Sequence, residues 1–430
     1  MVYLLVLCLL LVGLAVVGLA VVGVAPFAVD TATGGSAIAA ERIEPGAGGV
    51  PISTVPSATS GGDSGGEPGG PADPAVGNHV VAGVLADLES FWDEQFAAQG
   101  LTAAARPAGG YISLDSSAAS GSALCIGEPA QITGNAYYCP QGDGIVFDSS
   151  ALVPVLLGHY GVAGLATAFA HEFGHAVQAR IGPTQQEHRD HPDRYPAILI
   201  EAQADCDAGA FLAWVVAGHS SWVRIPRESL LRAITPVLDF RDAVTLTPSD
   251  PTAHGLGLDR LTVLLKGYRE GAKACHDLTA DSLQLTLGQP GVRSGPASTV
   301  PRYASTAQAV AAAGESVSAF AGKAGHDLGR GADLPAAADL QSAGPYGQFA
   351  QASAVALAAG RSITGNDSGA ACFAGAWAAS VFGHAQPGAL GSWPGDADEA
   401  LDLVRSRPGA TFEQVAGYAD GFHAGIGGCG

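Results

Sequence analysis

Residues 161–182 read GVAGLATAFAHEFGHAVQARIG. The stretch reads as one helix, closed by Gly182-Pro183, an ordinary helix stop. Within it lies His171-Glu172-Phe173-Gly174-His175. Two histidines at i and i+4 leave the same face of a helix, so their imidazoles can share one zinc ion. Glu172 then stands beside the metal, placed to take a proton from an attacking water. This is the equipment of peptide-bond hydrolysis. The competing reading is a histidine-bearing helix that holds no metal.

A catalytic zinc takes three protein ligands and keeps its fourth position open. Gln178 and Ile181 stand where the metzincin pattern needs glycine and histidine, so that pattern is excluded. The third ligand is better sought in Ile198-Leu199-Ile200-Glu201-Ala202-Gln203-Ala204-Asp205-Cys206. Pro196 suits a helix start, and the apolar pattern runs on to Val216 before Gly218. Glu201 and Asp205 therefore share a face, where like charges repel and apolar surroundings raise the cost. A cation or a histidine resolves that conflict. The expected ligands are thus His171, His175 and Glu201 around one catalytic Zn2+, with Asp205 accepting from the far nitrogen of His171. A solvated acidic face is the plainer alternative for Glu201 and Asp205. His188 and His191, in Glu187-His188-Arg189-Asp190-His191-Pro192, are runner-up ligands whose polar setting favours surface histidines.

The two motifs, Ala170-His171-Glu172-Phe173-Gly174-His175-Ala176-Val177-Gln178 and Glu201-Ala202-Gln203-Ala204-Asp205-Cys206-Asp207-Ala208-Gly209, resemble those of the bacterial predicted neutral zinc metallopeptidases. Ala202 is the one departure in the second. Tyr138-Cys139-Pro140 with Ile145-Val146-Phe147-Asp148 upstream, and His254-Gly255, Arg260 and Gly267-Tyr268 downstream, are similar too. The likeness covers roughly Asn78 to Cys275, with a further familiar segment at Trp393-Pro394-Gly395-Asp396. The resemblance implies a zincin-like peptidase acting on a peptide or protein substrate. The expected fold class is α+β: a mainly helical domain with a small sheet, followed by a further helical unit.

Asn135-Ala136-Tyr137-Tyr138 and Ile145-Val146-Phe147 flank Gly142-Asp143-Gly144, which reads as a hairpin. In zinc peptidases of this general architecture an edge strand near the metal helix can pair with the substrate backbone, and this hairpin is the candidate. A purely structural hairpin is the alternative. His254 is a candidate donor to the oxyanion of the tetrahedral intermediate; a capping or surface histidine is its plainer reading.

Cys206-Asp207-Ala208-Gly209-Ala210 recurs as Cys372-Phe373-Ala374-Gly375-Ala376, and Gly267-Tyr268 with Cys275 is echoed by Gly417-Tyr418 with Cys429. The C-terminal third thus reads as a degenerate copy without zinc ligands; helix-propensity coincidence in an Ala- and Gly-rich chain is the alternative. Equivalent cysteines suggest equivalent bridges, Cys206 to Cys275 and Cys372 to Cys429, leaving Cys125 for Cys139. Six cysteines allow fifteen pairings, of which this is one.

Outward from this core, Val2 to Ala25 carries no charged side chain. As a helix it would span roughly 36 Å, enough for a hydrocarbon core of about 30 Å, and it reads as an uncleaved anchor sooner than a signal peptide. Residues from about Asp30 to Gly77 lack aromatics and are rich in Gly, Pro, Ser and Thr, so they read as a flexible tether. Val84, Leu85, Leu88, Phe91, Trp92 and Phe96 then mark one helix face where the globular part begins. The expected organisation is a transmembrane anchor at 1–29, a disordered linker at 30–77, a metallopeptidase domain at 78–280 and a C-terminal helical domain at 281–430. Even cysteine usage outside the anchor points to an oxidising compartment, hence a globular part facing outward from the membrane. The chain has 430 residues with 40 acidic and 20 basic side chains, a formal net charge of −20, and no basic cluster, which argues against a nucleic-acid partner. Nothing in the sequence sets an oligomeric state. The rival from another class is an exported zinc-binding or catalytically silent scaffold.

Overall fold

Short apolar strands and long apolar helices alternate unevenly along the chain, and a computed structural model arranges them as a small mixed sheet against a helical mass. It describes residues 40–46, 74–286, 304–326, 328, 337–382, 392–393 and 395–429. The expected anchor and most of the expected linker lie outside the described residues. Part of that linker is ordered: Ala40–Ile43 forms strand β1, with Ile43 buried and antiparallel pairing to β2 (Gly110–Leu114). Ladder hydrogen bonds, with Arg42 donating to the Gly109 carbonyl and Glu44 pairing Arg106, offset the ordering entropy that composition alone left unmet. Helix α1 (Pro74–Ala98) follows, with Val84, Leu85, Leu88, Phe91, Trp92 and Phe96 all buried.

The hairpin forms as β3 (Ala136–Cys139) and β4 (Gly144–Asp148), paired antiparallel with Tyr138 opposite Ile145. The sheet order is β1-β2-β4-β3, with β2 and β4 parallel, so β3 lies at an edge. Every residue of β4 is buried, and Phe147 meets Phe169 of the next helix edge-on at 5.1 Å.

That helix, α2 (Gly161–Ile181), carries the two histidines; α3 (Ala197–Val216) and α4 (Leu230–Asp239) pack against it, and α5 (Gly257–Glu270) packs against α3 and α4. Gly174 lets α2 and α3 approach closely, since an added Cβ would lie 2.9 Å from Ala204 Cα. The pair α3 and α5 is tighter still. A Cβ at Gly267 would fall 1.8 Å from the Cys206 carbonyl oxygen, where only glycine fits.

Beyond them lie α6 (Thr306–Lys323), α7 (Gln348–Thr364), α8 (Asp367–Val381), α9 (Asp396–Ser406) and α10 (Phe412–Ala424). Here α8 meets α10 as α3 meets α5: a Cβ at Gly421 would lie 1.9 Å from the Cys372 carbonyl oxygen. The contact corrects the expected register. Gly421, not Gly417, stands where Gly267 stands, and each precedes its cysteine by the same interval. The repeated Gly-Tyr dipeptide misled by one helical turn. Cys206 is bonded to Cys275, Cys372 to Cys429 and Cys125 to Cys139.

The helix among the described residues long and apolar enough to cross a membrane is Leu152–Ile181, which is half buried and houses His171 and His175. A continuous apolar cluster runs from α1 through α10.

Candidate metal centre

Because α2 and α3 cross at Gly174 and Ala204, Glu201, one turn before Asp205 on α3, meets both histidines. Glu201 Oε2 lies 3.1 Å from His171 Nε2 and 3.5 Å from His175 Nε2. Each imidazole is anchored at its far nitrogen. His171 Nδ1 lies 2.8 Å from Asp205 Oδ1, and His175 Nδ1 lies 3.0 Å from the Gln178 amide oxygen. Those partners accept, so both Nδ1 atoms donate and both Nε2 atoms present bare lone pairs.

Three acceptors therefore converge with no donor between them. Glu201 Oε2 is buried and makes no hydrogen bond of acceptable geometry, the nitrogens beside it lying off the bonding directions. Tetrahedral zinc with bonds near 2.1 Å needs its donors about 3.4 Å apart, which matches these spacings. The donor set of two neutral imidazoles and one carboxylate is that of a catalytic zinc, and the residues fit the ion. Among the described residues no other group of three His, Cys, Asp or Glu side chains is placed to share a cation.

Electrostatics point the same way. Burial lowers the pKa of His171, but Asp205 and Glu201 outweigh it and push it up to about 10. His175 is also raised, by Glu201 against burial. Without a cation, the site would gather protons in its place. Asp205 is fully buried; burial raises its pKa, yet Arg260 and then His171 hold it at about 2. Arg260 donates from Nε at 2.7 Å and from Nη2 at 2.8 Å to the two Asp205 oxygens, and from Nη1 to the Phe240 carbonyl at 2.9 Å.

Glu172 sits beside the cluster, its Oε2 accepting from the Tyr138 backbone N–H of β3 at 3.1 Å. Burial pushes its carboxyl up, while His171 and His175 pull it down. His254 stands at the rim. Its Nε2 is 3.8 Å from Glu201 Oε2 and its Nδ1 3.5 Å from Asp242 Oδ1, and Asp242 raises its pKa against burial. Asp242 Oδ2 also accepts from the backbone N–H groups of His254 and Gly255, both at 2.7 Å.

These residues open onto a cleft of about 540 Å³ flanked by Tyr137 and Tyr138 of β3. His188 lines the wall of this cleft, its Nδ1 bonded to the Tyr195 carbonyl, while His191 lies exposed on the surface; neither joins the cluster. The sequence reading gave no role to Asp242, Gln178 or Arg260. Arg260 could have been found as the one cation in the apolar first half of α5, residues 257–265, and Gln178 by its place one turn after His175; nothing local marks Asp242.

No curated protein and no solved structure matches the chain. A family model described as "putative neutral zinc metallopeptidase" matches residues 58–276, just over half of the sequence and every residue of the metal centre. By that match the chain belongs to the neutral zinc metallopeptidase family.

Proposed function

We propose that the protein is a zinc-dependent endopeptidase, tethered to a membrane by residues 1–29 with its globular part on the extracytoplasmic side. The observation that carries the reading is the convergence of His171 Nε2, His175 Nε2 and Glu201 Oε2, with Glu172 held alongside by the edge strand. A zinc ion held there would polarise the scissile carbonyl and bring the pKa of a water down to about 7.

The chain's own groups do the rest. Glu172 has Oε2 fixed by Tyr138, which leaves Oε1 to take the proton from the attacking water and pass it to the leaving amine. Its raised pKa suits both steps. An extended peptide would add to the outer edge of β3, antiparallel pairing with β4 occupying the inner one. His254, whose Nδ1 faces Asp242, would donate from Nε2 to the oxyanion. Asp205 and Gln178 fix the tautomers of the two histidines.

The three disulfides support an oxidising compartment, and the uncharged run Val2–Ala25 supplies an anchor. Helices α7 to α10 are a degenerate copy of α2 to α5. Aligned on the close contacts, Gly360 against Ala370 matches Gly174 against Ala204. Leu357, Ala358 and Arg361 then take the places of His171, Glu172 and His175, and Asp367 that of Glu201. Arg361 and Asp367 form an ion pair, a side-chain cation where the first copy would hold a metal.

The test is metal analysis of the purified globular part, with peptide-library turnover by wild type and Glu172→Gln. Stoichiometric zinc and turnover lost only in the variant are expected. Stoichiometric zinc with no cleavage of any peptide would favour a binding protein, and absence of metal in chelator-free protein would end both zinc readings.

A further inference from the structure

The family match stops at residue 276, yet the loop that presents His254 is held from beyond that point. Asp398 of α9 caps α5 directly: its Oδ2 accepts from Gly257 N and its Oδ1 from Leu258 N, both at 2.8 Å. The same carboxylate lies 3.4 Å from Arg241 Nε. Asp402, one turn on, takes Arg241 in a two-pronged grip, Nη1 at 3.1 Å and Nη2 at 2.7 Å. Arg405 closes the network, bonding Asp402 at 2.8 Å and Asp239 at 2.7 Å. The Asp398 and Asp402 side chains are only 4% and 9% exposed, so these contacts are little screened.

Arg241 is flanked by two residues that serve the metal centre. Phe240 gives its carbonyl to Arg260, which holds Asp205 and through it His171. Asp242 closes the loop onto His254 and Gly255. Fixing Arg241 therefore fixes the groups behind two sides of the site.

We propose that the C-terminal helices act on the metal centre: Asp398 and Asp402 grip Arg241 and the start of α5, and so hold Asp242, His254 and Arg260 in register with Glu201 and Asp205. These are positioning residues, and the copy that lost its ligands serves as a brace for the one that kept them. The role in turnover rests on the peptidase reading above; the bracing of the loop does not.

The experiment uses the full chain, zinc-loaded, as wild type, Asp402→Asn, His254→Ala and the double variant. In Asp402→Asn, amide exchange across residues 241–258 should rise at least about tenfold, while α2, α3 and zinc content stay unchanged. With a cleaved peptide, kcat should fall roughly tenfold with KM within about twofold, and the loss should shrink in the His254→Ala background, where only the Arg260 branch remains. Should Asp402→Asn fail to fold, Arg241→Lys keeps the charge, loses the two-pronged grip and gives the same readings. Unchanged exchange in a folded variant, or losses that multiply with His254→Ala, would overturn the proposal. A wild type that cleaves nothing would sink the peptidase reading alone, the exchange arm still deciding the brace.

Discussion

At the scale of single residues, Glu172 and Glu201 are the same residue type with opposite electrostatic shifts. Glu201 is pulled well below the usual carboxylate range by the two histidines against burial, and Glu172 is pushed up by burial. Glu172→Gln should cut peptide turnover by roughly 10²- to 10⁴-fold and leave bound zinc unchanged, as read by steady-state kinetics and metal analysis. A different pH effect comes from Asp259, which accepts from Thr286 N at 2.8 Å and from Thr286 Oγ1 at 3.2 Å. Burial pushes its pKa up to about 8. Between its ordinary value near 4 and about 8, the folded chain keeps a proton that the unfolded chain releases, so this group's contribution to stability falls as pH rises. Asp259→Asn should flatten that decline: Tm close to wild type at pH 4 and higher at pH 8, measured by calorimetry.

Among elements, the deciding contacts are helix pairs joined by glycine. In both pairs a backbone carbonyl sits where a Cβ would go, so Gly421→Ala should cost at least about 3 kcal/mol by denaturant unfolding. Gly417→Ala should cost less than about 1 kcal/mol, because its Cβ would lie 3.1 Å from the nearest atom, the Ser368 carbonyl oxygen. Equal costs would restore the register suggested by the Gly-Tyr dipeptides. Sequence spacing alone could not settle this, since two glycines one turn apart share a helix face. The HEFGH helix was legible for the opposite reason: its chemistry needs two side chains at a fixed local interval.

For the whole molecule, the disulfides, and a metal at the proposed centre, tie together segments distant in sequence. A ligand present at a thousandfold its Kd stabilises the folded state by about 4 kcal/mol, so chelation should lower Tm measurably and zinc should restore it. The Cys206–Cys275 bridge spans 69 residues, and removing it should cost about 4 kcal/mol in the chain-entropy account. In cells, protein from the membrane fraction should react with a thiol label at Cys125, Cys139, Cys206, Cys275, Cys372 and Cys429 only after reduction. Labelling of these cysteines without reduction would place the globular part in a reducing compartment.

The sequence by itself determined the helix with His171 and His175, the partner helix with Glu201 and Asp205, the hairpin beside them and the family. Each rests on residues close enough along the chain for spacing to express geometry. Only the tertiary structure brought Asp242 to His254, Arg260 to Asp205, and Asp398 and Asp402 to Arg241. The last pairing joins residues separated by some 160 positions. Such pairs depend on how helices cross, and a lone aspartate carries no local mark of the arginine it will meet. The ordered strand within the expected tether belongs with them, because its stability comes from the partner strand and not from its own composition.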